Sequence, residues 1–361
     1  MSMHSSQTIE LPAGGRLDFI DMLRGLGLAF MVIDHAYDWW LTGAENAGPW
    51  GRATEFVGTL AAPIFLVLVG VSLALAAASY QARGAPAGQA VWLLLRRGLI
   101  VWLWGYALNL LVFFNGDNWP DLFAFDVLQC IGIGMVLFAP LAVWGPAWLL
   151  PLLAVGLGWG GQFANRLDLP GYLGTMVNGV PSIAYFPLLP WLCFVPLGML
   201  WGRALARWRD DRAASNRLAL ALLPGGLLAL VGAVLAPAGI GYRHPHLVSI
   251  LFDLAVVVWA GAVLHGWCRL ARRRRALGWL RDMGQETLFL YVLHHLIGFR
   301  LFYLLGWVTG RSWRGQYGVF DVPRATLLLV LLWVGMYLAS RAWSRWKARP
   351  GIWQRRAQVL L

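Results

Sequence analysis

Ten stretches of about 20 mainly apolar residues follow one another along this 361-residue chain, at roughly 20–40, 57–79, 95–115, 122–143, 146–164, 185–203, 218–237, 247–268, 286–307 and 322–343. Each has the length an α-helix needs to cross a hydrocarbon core about 30 Å thick. In lipid the backbone must satisfy its own hydrogen bonds, and a helix does so within one segment. Composition agrees. Residues of the AVILMFWYC set make up 59%, charged residues 13%, and mean hydropathy is +0.61, whereas a soluble domain is about a quarter charged. Too little polar surface is available to cover a folded body in water. The expected fold is all-α: a polytopic membrane helix bundle of about ten transmembrane helices.

The charge pattern orients this bundle. Of 29 basic residues, all arginine except Lys347, 22 fall on one side when alternate loops are taken and six on the other, with Arg300 inside the ninth stretch. Basic residues concentrate on the cytoplasmic side, so both termini are expected there, in a multi-pass protein of a bacterial inner membrane. Residues 1–16 form a cytoplasmic tail, 17–345 the membrane domain and 346–361 a basic cytoplasmic tail. Residues 1–16 lack the pattern of a cleaved secretory signal, so the first helix is expected to be retained. The net charge of +12 is explained by this asymmetry and by anionic lipid and ligand groups, and no nucleic-acid partner is expected. An oligomer is compatible with all of this. Cys130, Cys193 and Cys268 lie inside apolar runs, without the spacing of a metal site or a disulfide framework.

Ionisable groups inside hydrocarbon are costly unless paired or wet, which makes them functional candidates. The first stretch is densest, with Asp21, Arg24, Asp34, His35 and Asp38; Asp126 opens the fourth, Asp253 and His265 lie in the eighth, and Glu286, His294, His295 and Arg300 in the ninth. At about 100° per residue, Arg24 and His35 nearly eclipse, and Asp21 and Asp38 lie within roughly 60° of His35. One stripe of the first helix is therefore polar and must face protein or water. His35 lies about 16 Å further along the axis than Arg24, in the outer half of the membrane, with Asp253 at similar depth. Counted from residue 286, His294 lies about 12 Å in from the cytoplasmic end, too deep to be expected beside His35.

Other features carry less. His265 adjoins the Arg269 cluster and reads as interfacial. His244 and His246 lack acidic neighbours, and no metal site is expected. The Gly156–Gly161 stretch lacks the lysine and the strand–turn–helix context of a phosphate loop; its small residues suit close helix packing. The 22 tryptophans read mainly as interfacial belts, although Trp50, Trp119 and Trp191 are placed to stack on a sugar ring.

Several segments resemble known membrane enzymes. Arg24 and His35, preceded by Asp21, resemble the first-helix signature of integral-membrane acyltransferases of the acyltransferase-three type. The wider order is similar to the heparan-α-glucosaminide N-acetyltransferase-like family, in the segments Asp21–Gly25, Ala62–Gly70, Arg96–Gly98, Leu128–Gly132, Pro187–Trp191 and Gly284–His294. The resemblance implies transfer of an acetyl or other acyl group from cytoplasmic acetyl-CoA, or another acyl-CoA, to a glycan or amino-sugar acceptor near the outer face. Where the lysosomal enzymes carry a histidine three residues before a tryptophan, this chain has Ala47 before Trp50, and Thr59 stands where they carry an aspartate. His35 is therefore the candidate general base.

Acyl transfer from a thioester needs a base, a means of stabilising the oxyanion and a grip on the donor. The expectation is His35 as base, oriented by Asp34 or Asp38, with His294, aided by Tyr291, lining the donor channel or stabilising charge. Arg24, Arg96 and Arg97 are expected to hold the CoA phosphates, since guanidinium forks grip phosphate bidentately. An alternative of another class is a transporter or flippase with the buried Asp and His groups as a proton relay. A structural subunit whose polar residues only specify helix packing is the third reading.

Overall fold

The computed structural model describes residues 17–114, 116, 119–179, 184–208, 212–235, 246–269, 276–308 and 318–351. The N-terminal tail, most of the C-terminal tail, His244 and Arg272 to Arg275 lie outside them. Seventeen α-helices are present among the described residues. They are α1 (Asp18–Trp40), α2 (Gly43–Asn46), α3 (Pro49–Thr59), α4 (Ala61–Ala82), α5 (Ala87–Leu108), α6 (Trp119–Leu122), α7 (Val127–Trp144), α8 (Leu149–Phe163) and α9 (Gly171–Asn178). They continue as α10 (Leu188–Trp191), α11 (Phe194–Arg207), α12 (Arg212–Leu235), α13 (Leu247–Arg269), α14 (Gly278–Gln285), α15 (Thr287–His295), α16 (Leu301–Val308) and α17 (Val322–Lys347). No strand occurs among the described residues, only two isolated bridges, Leu41 to Phe320 and Phe125 to Ala184.

Among the described residues, six helical segments are long and apolar enough to cross a membrane: Pro49–Ala82, Ala87–Phe113, Val127–Trp144, Leu188–Arg207, Leu247–Arg269 and Val322–Lys347. Their outward faces carry side chains such as Leu103, Leu137, Leu331 and Leu338, all more than half exposed, which suits lipid contact. With its 23 residues, α1 is as long as these, but Asp18, Asp21, Arg24, Asp34 and Asp38 lower its hydropathy. It packs against α3, α4, α13, α14, α15 and α17, and its polar stripe faces protein near its start and an open cavity near its end.

The ninth apolar stretch departs most from expectation. Rather than one rod from residue 286, the chain begins with α14 at Gly278, breaks at Glu286, continues as α15, and passes through a π-helical turn at Leu296–Arg300 before α16. The break is held from α17, where the Glu286 carboxylate accepts from Ser344 Oγ at 2.8 Å and from Lys347 Nζ. Gly25 and Gly284 allow α14 to lie on α1: a methyl group at Gly284 would collide with the Asp21 carbonyl, and one at Gly25 with the Leu280 carbonyl. Small residues that let helix backbones touch are the usual means of close packing in membranes.

Candidate active site

A cavity of about 570 Å³ opens at the C-terminal end of α1. The helix contributes Asp34, His35, Asp38 and Trp39, spaced so that one face is presented to the space. Thr54 and Glu55 of α3 close one side, and Asn109 and Phe113 come from a π-helical turn that ends the α5 segment. Asp121, Asp126, Tyr185, Phe186 and His295 complete much of the wall. Among the described residues no lysine or arginine lines it, so Asp34, Asp38 and Glu55 give it an acidic character.

Local structure places these groups. Asp126 caps α7, accepting from the Val127 N–H at 2.7 Å, while its own N–H donates to Gln129 Oε1 at 3.2 Å. This reciprocal cap satisfies N-terminal donors that the helix leaves unpaired. Asn109 Nδ2 donates to the Ala124 and Leu122 carbonyls at 2.8 and 3.2 Å, tying the approach to Asp126 onto the π turn. The Tyr185 N–H donates to the Phe125 carbonyl at 2.9 Å, which brings Tyr185 and Phe186 alongside. Gly58 makes room for the Asp34 carboxyl group, because a methyl there would occupy its space.

Three histidines cluster at the floor, where His35 and His295 line the cavity and His294 lies behind them. His294 and His295 are buried, and their Nδ1 atoms lie 3.2 and 2.9 Å from the Leu290 and Tyr291 carbonyls one turn back. A carbonyl only accepts, so both rings carry their proton on Nδ1 and present Nε2 as a bare lone pair. His294 Nε2 stands 3.1 Å from His35 Nδ1, so His35 donates through Nδ1 and its own Nε2 is left unprotonated. Trp39 lies over the group, with ring centroids 5.1 Å from His35 and 6.0 Å from His294. Trp40 Nε1 donates to the Gly298 carbonyl at 3.1 Å, fastening the end of α1 to the π turn that follows His295.

Two expectations are corrected by this geometry. His294 reaches His35, because its depth was counted along a single straight helix, whereas α14 and α15 break and cross α1. Orientation of the His35 ring comes from His294, not from Asp34 or Asp38; Asp38 instead accepts from Asn46 Nδ2 at 3.5 Å.

Of the remaining predicted residues, Tyr291 joins the histidine group, its ring centroid 4.8 Å from His295 and 5.5 Å from His294. Arg24 does not line the cavity: it pairs with Asp21 at 3.0 Å and donates to Ser72 Oγ at 3.3 Å, while Gln285 Nε2 donates to the other Asp21 oxygen at 3.1 Å. Arg96 and Arg97 are exposed on α5, also away from the lining. Asp253 is buried outside the cavity. Sequence reasoning passed over Trp39, Glu55, Asn109, Asp121, Tyr185 and Phe186 as site residues. The D-x-x-Q cap at Asp126 was visible in the sequence, but the others carry no local signal.

Apolar helices around an acid–histidine chamber define an integral membrane protein with an enzyme-like interior. The sequence matches the heparan-alpha-glucosaminide N-acetyltransferase catalytic family over residues 16–237, and the chain belongs to that family of membrane acetyltransferases. The matched region holds Arg24, His35, Arg96 and Arg97, while His294 and His295 lie beyond it. Comparison with curated proteins returns no match.

Proposed function

We propose that the protein transfers an acetyl or other acyl group from acyl-CoA, acetyl-CoA above all, to a hydroxyl or amine of a glycan or amino sugar held in the chamber, with His35 as general base. One observation carries this reading: the chain Leu290 carbonyl, His294, His35 leaves the His35 Nε2 lone pair free in a ring that lines the cavity. A base must be unprotonated and within reach of the proton it takes.

In the proposed step the acceptor oxygen or nitrogen attacks the thioester carbonyl as His35 Nε2 takes its proton. The tetrahedral intermediate collapses with loss of the CoA thiolate, and that proton then passes to the thiolate. His294 holds the imidazolium through its Nε2. Asp34, Asp38 and Glu55 add negative potential that favours the charged ring and hold the hydroxyl or amino groups of the acceptor. Trp39, Tyr185 and Phe186 offer apolar ring faces to the sugar. The volume lies within the roughly 300–1,000 Å³ range of small-molecule sites.

Donor phosphates are assigned to Arg24, Arg96 and Arg97. Arg24 already serves Asp21 and Ser72, so the main share falls to the exposed pair on α5. The proposed topology has ten crossings of a bacterial inner membrane with both termini cytoplasmic, which puts these arginines on the donor side and the chamber towards the outer face.

The test is acyl transfer from radiolabelled acetyl-CoA to amino-sugar and glycan acceptors by purified protein, with His35→Gln alongside. Near-wild-type turnover by the variant removes His35 as base. Absence of any CoA-dependent thermal stabilisation, combined with substrate-driven proton flux in vesicles, favours the transporter reading.

A further inference from the structure

The three histidines have the makings of a metal site as well as a base. One nitrogen from each of His35, His294 and His295 lies within 4.8 Å of the others. His294 and His295 both give Nδ1–H to a main-chain carbonyl, which is how an outer-shell partner fixes a ligating imidazole with Nε2 forward. The 3.1 Å between His35 Nδ1 and His294 Nε2 is close to the roughly 3.3 Å that separates two nitrogens on one tetrahedral zinc ion, given bonds of about 2.0–2.1 Å.

His35 and His295 border the cavity, so a fourth position opens to water, as in zinc sites with three protein ligands. Asp34, Asp38 and Glu55 line the same space, with no lysine or arginine among its described lining residues, which favours a cation. Imidazole ligands suit zinc, copper and nickel.

We propose that His35 Nδ1, His294 Nε2 and a nitrogen of His295 bind one divalent transition-metal ion of the zinc class, and that the bound ion suppresses acyl transfer. The suppression rests on the general-base reading above. With Nδ1 committed to the metal, a neutral His35 ring must carry its proton on Nε2, and the lone pair needed by the acceptor is gone. The proton leaves Nδ1 for water as another is taken up on Nε2, so the ring stays neutral. One cluster thus holds either a working base or a metal ion.

The experiment uses the purified full chain in detergent, without a polyhistidine tag and stripped with EDTA. Cobalt(II) is titrated and followed by its visible absorption, then displaced by zinc. The expected result is one ion per chain and a tetrahedral cobalt spectrum. Affinity is expected to fall at least about 100-fold in His295→Asn and in His294→Gln, beyond the roughly 10–100-fold of losing an outer-shell partner. Thermal unfolding of each variant checks that it is folded. No stoichiometric binding by the wild type, or unchanged binding in both folded variants, overturns the site. Turnover restored by EDTA and lost again on adding zinc supports the suppression; turnover unchanged or raised by zinc overturns it. Cobalt binding in a protein with no turnover in either state upholds the site and overturns the acyl-transfer reading instead.

Discussion

The two ends of α1 treat polar side chains in opposite ways. Near its start, Asp21 accepts from both Arg24 and Gln285, and α14 is pressed onto the helix through Gly25 and Gly284. The charges there are matched across short distances and the backbones touch. Near its end, Asp34, His35 and Asp38 stand on a cavity with Glu55 opposite, and the His35 ring is committed through one nitrogen only. The contrast teaches that an ionisable residue inside a membrane bundle is not a site by itself. At the first end, partners consume the polar atoms and fasten helices together; at the second they leave atoms over for a ligand.

The sharpest test of this contrast is His35→Gln. Loss of a general base is expected to lower kcat by about 10²–10⁴-fold with little change in thermal stability, measured by single-turnover acyl transfer beside a detergent melt. Next comes Asp21→Ala, which leaves Arg24 and Gln285 without their shared acceptor and is expected to cost about 1–3 kcal/mol. Its signature is a lower melting temperature with near-normal turnover per folded molecule. An unchanged melt with abolished turnover would break the comparison outright.

Gly284→Ala refines the same point, since its methyl has nowhere to go but the Asp21 carbonyl; overpacking of this kind costs about 1–3 kcal/mol, again read as a melting shift. Trp39→Leu at the other end is expected to raise the acceptor KM by a few-fold to tenfold through loss of an aromatic face worth about 0.5–1.5 kcal/mol. The smallest effect per residue belongs to Arg96→Ala and Arg97→Ala. Exposed charges on α5 are screened by salt, so CoA affinity should fall only modestly, and less at high ionic strength. No loss in the double variant at low salt removes them from the donor site.

Much of the scaffold was legible in the chain. Apolar stretches of about 20 residues have few alternatives to helices, and the polar stripe of α1 followed from spacing alone, as did its need to face protein or water. The Asp21–Arg24 contact is also local, three residues apart on one helix, and needs no tertiary information. The histidine cluster is different. His35 and His294 are separated by 259 positions, and their meeting depends on the break at Glu286, the glycine contact beneath it and the way α15 crosses α1. Counting rise per residue assumes straight parallel rods, and that assumption failed at this helix.

In the acidic wall, Asp34, Asp38 and Asp126 were marked by the sequence, but their meeting with Glu55 and Asp121 was hidden. Glu55, Asp121 and Asp126 lie on three separate elements, and Asn109 and Phe113 are aimed by a π-helical turn that leaves no mark in hydropathy. Sequence by itself determined that this protein is a helical membrane bundle with a charged first helix, because the cost of unsatisfied backbone and unpaired charge in hydrocarbon acts residue by residue. Only tertiary structure decided which of those charges neutralise one another and which surround an open chamber, because helix crossing and register arise from side-chain packing among residues far apart in the chain.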